Sequence, residues 1–368
     1  MIKIVFLVQK LINAGPENVV LDICKCLDKT LYCPAIISLM DEDKERGIED
    51  DFKRLKVEIV HIGATFYQEE FQTSSVAKKV REAYVRLNGD LLHVHCYHPS
   101  LISSYLRDIP IVNTIHNISG EDFLIKKGWL MGNYMKWRFD KSLKQSDCIV
   151  ALSDYMMEYY QNKCGKIIKI PNGVSFQRDA GFDIKAFRVK HNLLPSLRIV
   201  VVTGTVSQRK NTTFTVSELK RSSSDFICFI IGNGDKLEAC KQITENDARF
   251  KYEGFKSNVA EYLNAADIFI SSSLSEGLPL SVLEAINMGV PCLLSDIRPH
   301  EEIVKTMNCE GVECFELEDG ALSSKFDNVI NKNVDTDNIY KKAIQFYSSQ
   351  VMARNYERIY EELISERQ

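Results

Sequence analysis

The sequence predicts an α/β protein with two doubly wound parallel sheets, one after the other along the chain. Short apolar runs typical of buried strands alternate with helical patterns from the first residues onward. The turn cluster at residues 171–174 interrupts this alternation, which then starts again. The 368 residues also suit two domains of about 150–200 residues better than one core. We therefore expect a first domain over residues 1–172 and a second over residues 173–343.

The strands are predicted from apolar runs bounded by turn residues. In the first domain they are at residues 2–8, 35–39, 57–62, 91–95, 111–116, 149–152 and 167–170. In the second domain they are at residues 198–203, 226–231, 250–252, 268–270, 292–294 and 312–315. The last part of the chain, from about residue 339, has apolar residues at helical spacing and predicts one or two helices.

Composition narrows the class of protein. The net charge of −4 gives no general signal for binding nucleic acid, so any basic surface must be local. The first apolar run is too short for a signal peptide, and no run approaches the ~18 residues that span a membrane. Eleven scattered cysteines, an odd number, favour reduced thiols. We expect a cytoplasmic protein that binds no nucleic acid.

The most informative stretch is residues 271–285, SSSLSEGLPLSVLEA. It predicts the end of a buried strand, a turn at Glu276 and Gly277, and a helix with Pro279 in its first turn. The free amides at the start of that helix, at Leu280 and Ser281, suit a phosphate. Glu284 follows about 6 Å further along the helix, at 1.5 Å per residue. Carboxylates on both sides of a phosphate site suit a nucleoside diphosphate sugar, which has hydroxyls at both ends. The alternative is two surface glutamates without a role.

The spacing of Glu276 and Glu284 inside SEGLPLSVLEA closely resembles the E-x7-E signature of retaining glycosyltransferases of family 4. The resemblance implies a GT-B fold, in which two Rossmann-like domains face each other across a cleft. It implies that Glu276 contacts the donor sugar and Glu284 the nucleotide ribose, with Gly277, Leu278, Leu280 and Ser281 beside the donor. It also implies a C-terminal helix, residues 344–368, that packs on the first domain, and a reaction that needs no metal.

The loop after the first strand is a second candidate site. It lies at the carboxyl end of the predicted sheet, where open α/β folds bind ligands. Its single glycine does not make a dinucleotide fingerprint. The resembled family often has Gly-Gly-x-Glu here; Ala14-Gly15-Pro16-Glu17 keeps the second glycine, which we expect near the donor diphosphate. The alternative is a plain turn that caps a helix.

Histidines cluster near the ends of two predicted strands. His93, His95 and His98 have the composition of a metal site, but the resemblance favours an ordinary strand there. The alternative interpretation of His95 is that it lines the cleft. The resemblance also implies that His116, which ends the next strand, reaches the donor sugar and takes part in the chemistry. A strand-end histidine without a role is the alternative.

The loop after the first strand of the second domain, VTGTVSQRKN, contains two cations, Arg209 and Lys210. Fixed cations stabilise the charge of a departing diphosphate. Lys210 matches the lysine of the resembled family, whereas Thr205 stands where that family has arginine. Whether Arg209 replaces that arginine is open, and two solvated cations are the alternative. Weaker matches place Gly204, Gly232 and Phe255 at the donor.

Both tryptophans, Trp129 and Trp137, fall in a basic stretch over residues 126–144. Such a mixture suits the surface of an anionic membrane, where a lipid-linked acceptor would lie. The alternative, which we prefer, is a solvated helix face with Trp137 and Phe139 in the core.

The sequence is thus identified as a retaining glycosyltransferase that uses a nucleotide-sugar donor, with UDP expected as the nucleotide. The expected acceptor is a saccharide or a lipid-linked sugar in surface polysaccharide assembly. A GT-B sugar-nucleotide epimerase and a catalytically silent sugar-nucleotide binder are the alternatives. The sugar itself, the linkage and the oligomeric state stay open.

Overall fold

The computed structural model describes residues 1–43 and 47–367. The chain forms two compact units: the first unit contains residues 1–173 and 349–368, and the second unit contains residues 174–348. The chain leaves the first unit next to the turn at residues 171–174. It returns five residues later than the boundary that we expected at 343/344, because the helix before residue 348 packs within the second unit.

The first unit is built on a seven-stranded sheet in the order β3-β2-β1-β4-β5-β6-β7, and all neighbouring strands are parallel. Its strands are β1 (Ile2–Val8), β2 (Tyr32–Ser38), β3 (Glu58–His61), β4 (Leu91–His95), β5 (Ile111–Thr114), β6 (Cys148–Ala151) and β7 (Ile167–Lys169). The connecting helices are α1 (Gly15–Cys26), α2 (Glu49–Arg54), α3 (Phe66–Phe71), α4 (Thr73–Arg86), α5 (Tyr97–Ser103), α6 (Ser119–Leu143) and α7 (Asp154–Tyr160). Helix α6 is kinked at Gly128, where φ is 72°.

The second unit is built on a six-stranded parallel sheet in the order β10-β9-β8-β11-β12-β13. Its strands are β8 (Arg198–Thr203), β9 (Phe226–Ile231), β10 (Phe250–Gly254), β11 (Ile268–Ser271), β12 (Cys292–Ser295) and β13 (Val312–Phe315). Its helices are α8 (Ile184–Lys190), α9 (Thr212–Arg221), α10 (Leu237–Ile243), α11 (Val259–Ala265), α12 (Leu280–Asn287), α13 (Arg298–Met307), α14 (Ala321–Val329) and α15 (Thr336–Tyr347).

The last helix, α16 (Ser349–Ser365), belongs to the first unit and contacts α1. Tyr356 and Tyr360 are fully buried there. The hydroxyl of Tyr360 is 2.7 Å from Nδ1 of His93, and that of Tyr356 is 2.9 Å from Oγ1 of Thr114. The end of the chain therefore forms part of the core of its first unit.

The prediction of two parallel doubly wound sheets is confirmed, and every predicted strand corresponds to an observed one. The differences are at the ends. β2 begins at Tyr32, three residues before the predicted start, and β5 ends at Thr114, two residues before His116. Within the described residues, no helix combines the length and the apolar composition needed to cross a bilayer.

Candidate functional site

Glu276 binds both cations of the loop that follows β8. Its Oε2 lies 2.7 Å from Nη1 of Arg209, and its Oε1 lies 2.7 Å from Nζ of Lys210. Oε1 also accepts a hydrogen bond of 2.9 Å from Oγ of Ser273. Glu276 thus contacts two residues that precede it by 67 and 66 positions in the sequence.

Sheet topology explains this meeting. β8 and β11 are parallel neighbours, so the loops that follow them leave the same edge of the sheet. The two loops are also joined by main-chain contacts. The amide of Leu274 donates to the carbonyl of Arg209 at 2.8 Å, and Nη1 of Arg209 donates to the carbonyl of Ser275 at 2.8 Å. These contacts between the two loops fix the positions of the carboxylate and its two cations relative to each other.

The Glu276 carboxylate is ionised although the side chain is only 7% exposed. Burial by itself would raise its pKa, but the charges of Lys210 and Arg209 lower the pKa to about 2. The two cations remain partly accessible, with 15% and 23% of their side chains exposed. The cluster of Glu276, Arg209 and Lys210 has a net charge of +1, which suits an anionic ligand.

A second layer of polar side chains supports Glu276 from behind. Oγ of Ser295 donates to the carbonyl of Ser273 at 2.7 Å, and Nδ1 of the fully buried His300 lies 3.0 Å from both oxygens of Ser295. Burial lowers the pKa of His300 to about 4, against an opposing effect of the Glu276 charge. Ser295 and His300 were not predicted from the sequence. Ser295 ends a buried strand and His300 lies on the helix that follows it, and polar residues at that end of the sheet were the available signal.

Glycines allow the loops after β8 and β9 to pack closely against each other. A Cβ atom on Gly232 would lie 1.9 Å from the carbonyl oxygen of Gly204, and one on Gly234 would lie 2.1 Å from that of Val206. A Cβ atom on Gly204 would meet Cε of Lys210 at 3.5 Å. Gly204 and Gly232 therefore bring the loops after β8 and β9 together, beside the lysine of the charged cluster. Close packing of the loops thus requires glycine at Gly232, apart from any contact with a donor.

The beginning of α12 lies next to the same loop. Leu280 is the first residue of the helix and Pro279 is its N-cap, one position earlier than predicted. The amides of Leu280 and Ser281 have no acceptor inside the helix, as at any helix start. Leu278 is buried and Glu284 is half-buried on the helix. Phe255 directly follows β10 and is 64% exposed.

The candidate residues of the first unit are Gly15 and His116. Gly15 is the first residue of α1, and the nearby Glu17 is buried, which raises its pKa to about 7. His116 follows β5, is partly buried, and has its Nε2 2.9 Å from Nδ1 of His95. We expected His95 to line a cleft, but it is only 1% exposed. Its contact is with His116, which it supports from inside.

The histidines of β4 and α5 have protein partners. Nε2 of His93 lies 2.8 Å from Oγ1 of Thr114, and His98 contacts Gln9 at 2.8 Å and Glu70 at 3.1 Å. In residues 1–43 and 47–367, no group of three or more His, Cys, Asp or Glu side chains could hold a metal ion.

Helix α6 exposes aromatic side chains beside basic ones. Trp129 is 74% exposed and Trp137 is 59% exposed, whereas Phe139 is buried. The expectation that Trp137 lies in the core is thus wrong, whereas Phe139 does pack inside. The helix is joined to α3 by Arg138, whose Nη1 donates to the carbonyl of Glu70 at 2.5 Å. The side chain of Lys126, part of the predicted stretch, lies outside the described residues.

Comparisons with known proteins identify the class of protein to which this fold belongs. Two family models match consecutive parts of the chain: Glycosyltransferase Family 4 over residues 14–178 and Glycosyl transferases group 1 over residues 183–346. Together they cover most of the sequence, and the chain belongs to these glycosyltransferases. The resemblance drawn from the motifs is confirmed.

Curated relatives support the same family. The chain is 26% identical over 237 residues to the UDP-Gal:alpha-D-GlcNAc-diphosphoundecaprenol alpha-1,3-galactosyltransferase of Escherichia coli. The matched region covers 59% of this chain and 60% of that protein. It is 24% identical over 320 residues to the N-acetyl-alpha-D-glucosaminyl L-malate synthase of Bacillus anthracis, with 79% of each chain covered. The chain thus spans less than two thirds of the first of these relatives.

Solved structures show the fold. A sucrose-phosphate synthase from Thermosynechococcus elongatus matches with a TM-score of 0.82 at 15% identity, over 100% of both chains. Anabaena HepE in complex with UDP and glucose matches with a TM-score of 0.79 at 15% identity, over 98% of this chain and 100% of that one. The predicted GT-B fold is confirmed.

Proposed function

We propose that the protein is a retaining glycosyltransferase that moves a sugar from a UDP-sugar to a saccharide or lipid-linked acceptor in surface polysaccharide assembly. The observation that carries this proposal is the charged cluster of Glu276, Arg209 and Lys210, next to the start of α12. The names of the relatives agree with it: the E. coli enzyme uses UDP-Gal and a diphosphoundecaprenol acceptor. HepE binds UDP and glucose.

In this proposal the second unit holds the donor. The diphosphate lies against Lys210, Arg209 and the first amides of α12, whose dipole favours an anion. Glu276 accepts hydrogen bonds from the sugar hydroxyls and Glu284 accepts them from the ribose. The chain elements that bear Gly204, Gly232 and Phe255 complete the site.

The same cations assist the reaction. The bond between the sugar C1 and the diphosphate oxygen breaks as the bond to the acceptor oxygen forms. Negative charge grows on the leaving diphosphate, which takes up the proton of the acceptor hydroxyl. Lys210 and Arg209 are already fixed by Glu276, so they stabilise this charge without having to reorganise. They supply the positive charge that a metal would otherwise bring, and we propose that none is required. His116 would donate a hydrogen bond to the sugar, and Gly15 would lie near the diphosphate.

The test is a screen of UDP-, GDP- and ADP-sugars by thermal shift and by donor hydrolysis. We expect UDP-sugars to raise the melting temperature, since a ligand in excess of its Kd stabilises the folded state. Glu276→Ala should abolish slow hydrolysis of the stabilising donor. Glu238→Ala is the matched control, because Glu238 forms an exposed pair with Lys241 on α10.

The alternatives give different results. An epimerase would convert the donor in the absence of any acceptor. A silent binder would be stabilised by the donor but would cleave it under no condition, with or without the acceptors of the relatives. A chain that no nucleotide sugar stabilises would contradict the donor site itself.

The first unit offers a surface for a lipid-linked acceptor. The pair of Arg138 and Glu70 joins α6 to α3. We name as the aromatic–basic surface six exposed side chains on these two helices: Tyr67, Phe71, Trp129, Leu130, Trp137 and Lys141. Apolar side chains that enter the headgroup region and lysines that attract anionic lipid are the two contributions that hold a protein on a membrane.

A flotation assay tests this part of the proposal. We expect the protein to float with vesicles that contain anionic lipid, and to float less after Trp129→Ser and Trp137→Ser. The matched control is Tyr105→Ser, an exposed aromatic (53%) outside this surface. If the wild type, the tryptophan variants and Tyr105→Ser all float equally, the aromatic–basic surface has no membrane role. Failure of the wild type to float with anionic vesicles would contradict that role as well.

A further inference from the structure

Among the described residues, the side chain of His116 makes one hydrogen bond, to His95 in the first unit. Its Nε2 points to Nδ1 of His95 at 2.9 Å, and the two ring centroids are 5.2 Å apart. The Nδ1 atom of His116 has no hydrogen-bond partner in the described part of the chain. His116 therefore has one nitrogen committed to the protein and one, Nδ1, available to a ligand.

His95 lies in an apolar and imidazole-rich environment. It is 1% exposed, and its ring is 4.3 Å from that of His93 and 6.1 Å from that of Phe6. Its Nε2 is buried and has no partner among the described residues. Burial lowers the pKa of both His95 and His93 well below the usual value, and the neighbouring imidazoles lower them further. Burial also lowers the pKa of His116 to about 4.

The three rings are therefore neutral at physiological pH, and each carries one N–H. The contact between His95 and His116 needs one donor and one acceptor. If His116 donated from Nε2, the single N–H of His95 would be on Nε2, buried and without an acceptor. If His95 donates from Nδ1, its Nε2 is only an unused acceptor. Buried N–H groups without a partner are the rarer of the two in folded proteins.

We propose that His95 is a positioning residue that donates from Nδ1 to His116 and so fixes His116 as the Nδ1–H tautomer. His116 then presents a hydrogen-bond donor to an oxygen of the bound sugar, and it neither accepts nor releases a proton during transfer. This role in the reaction rests on the proposed glycosyltransferase function. The tautomer does not, since it is set by the protein alone.

The first experiment reads the tautomer directly. Protein labelled with 15N-histidine is studied by long-range proton–nitrogen correlation at pH 7, because the bare nitrogen of an imidazole resonates far downfield of the protonated one. The His116 signals are assigned by their loss in His116→Asn. We expect the protonated nitrogen of His116 to be Nδ1. Protonation at Nε2, or a cationic ring, would overturn the proposal whether or not the protein transfers sugar.

The second experiment uses amide side chains that imitate one ring nitrogen each. The Asn amide lies where Nδ1 of histidine does, so His95→Asn keeps a donor toward His116, whereas His95→Phe removes it. We expect His95→Phe to lower kcat about tenfold, the effect of one lost hydrogen bond, with a smaller change in the donor KM. His95→Asn should recover most of that loss. Thermal unfolding of both variants shows whether they are folded.

The same comparison at His116 tests which nitrogen acts. His116→Asn should keep more activity than His116→Gln, since only the Asn amide imitates Nδ1. A Gln variant more active than the Asn variant, or His95→Asn no better than a folded His95→Phe, would overturn the positioning role. Loss of all transfer in every variant and in the wild type would contradict the proposed function and leave the tautomer result standing.

Discussion

The carboxylate of Glu276 is charged and buried, and the two cations of the β8 loop offset its lost hydration. A buried charge without partners would be neutralised or would destabilise the fold. Here three donors from two loops bind one carboxylate group: Arg209, Lys210 and Ser273. The residue proposed to contact the sugar thus also holds its two neighbouring cations in place.

Replacing Glu276 with glutamine should lower the free energy of unfolding by about 2 kcal/mol, since the variant leaves two partly buried cations without their anion. Urea unfolding measures this loss. Glu238→Gln removes an exposed pair on α10 and should change the stability by no more than about 0.5 kcal/mol. Equal effects of the two changes would mean that the cluster of Glu276, Arg209 and Lys210 adds no stability.

The contribution of Glu276 should also depend on pH. Its pKa is about 2 in the folded protein and ordinarily 4.5, so the unfolded state takes up the proton first as the pH falls. The stability that the charge provides is fully present above about pH 4.5 and is lost as the pH falls toward 2. The difference in stability between wild type and Glu276→Gln should therefore narrow from pH 5 to pH 3. A constant difference would contradict the depressed pKa.

At the residue scale the sequence predicted the members of the site better than their contacts. Glu276 was predicted from its motif, and Arg209 and Lys210 from a separate loop, as residues of the donor site. Their direct contact depends on β8 lying next to β11. The support of His116 by His95 was missed for the same reason. Pairing of β4 with β5 puts His95 opposite Thr114, and this register is set by long-range packing.

At the scale of secondary-structure elements, two loops of the second unit come into main-chain contact at glycines. The amide of Gly204 donates to the carbonyl of Ile231 at 3.0 Å, and that of Gly232 donates to the carbonyl of Gly254 at 2.8 Å. A Cβ atom on Gly232 would overlap the Gly204 carbonyl and so separate the segments that follow β8 and β9. The glycines therefore shape the edge that carries Lys210.

We expect Gly232→Ala to lower the free energy of unfolding by about 2–3 kcal/mol, because the new Cβ would overlap the Gly204 carbonyl and φ is 144°. Gly181→Ala is the matched control in the same unit. Its Cβ would meet only the Asp179 side chain, at 3.4 Å, and the change should be within about 0.5 kcal/mol. Chemical denaturation measures both. A neutral Gly232→Ala would show that these loops separate without cost.

Strand positions could be predicted because apolar runs report burial directly, whereas the faces of α6 could not. Trp137 and Phe139 were expected in the core together, but residues two positions apart on a helix do not share a face, so the burial of Phe139 leaves Trp137 exposed. The exposed aromatics of α3 were also missed, since a helix of six residues has too little periodicity to show a face.

At the scale of the whole molecule, the first unit is not one continuous segment of the chain, because the last twenty residues return to it. Periodicity predicted a helix there, but nothing in its spacing says which sheet it covers; only the family resemblance implied the first domain. The buried face of α16 bears Met352, Tyr356, Tyr360 and Leu363. Two of these side chains also satisfy polar groups of the sheet, through His93 and Thr114.

Removing residues 349–368 should unfold the first unit and leave the second folded. Burial of one large apolar side chain contributes about 1.5–3 kcal/mol, so the four residues of the buried face together contribute about 6–12 kcal/mol. That is comparable with the whole stability of a domain, about 5–15 kcal/mol. The deletion also leaves His93 and Thr114 without their tyrosine partners in the core.

Hydrogen exchange followed by mass spectrometry separates the two units in one sample. In the truncated chain, peptides from β1, β4 and β5 should lose protection, while those from β8, β9 and β11 keep it and serve as the internal control. Tyr360→Phe in the full chain should give a smaller, local loss near His93, because it removes one hydrogen bond and no helix. Retained protection of β4 after truncation would show that the first unit folds without α16, and equal loss in both units would show that the second unit depends on it too.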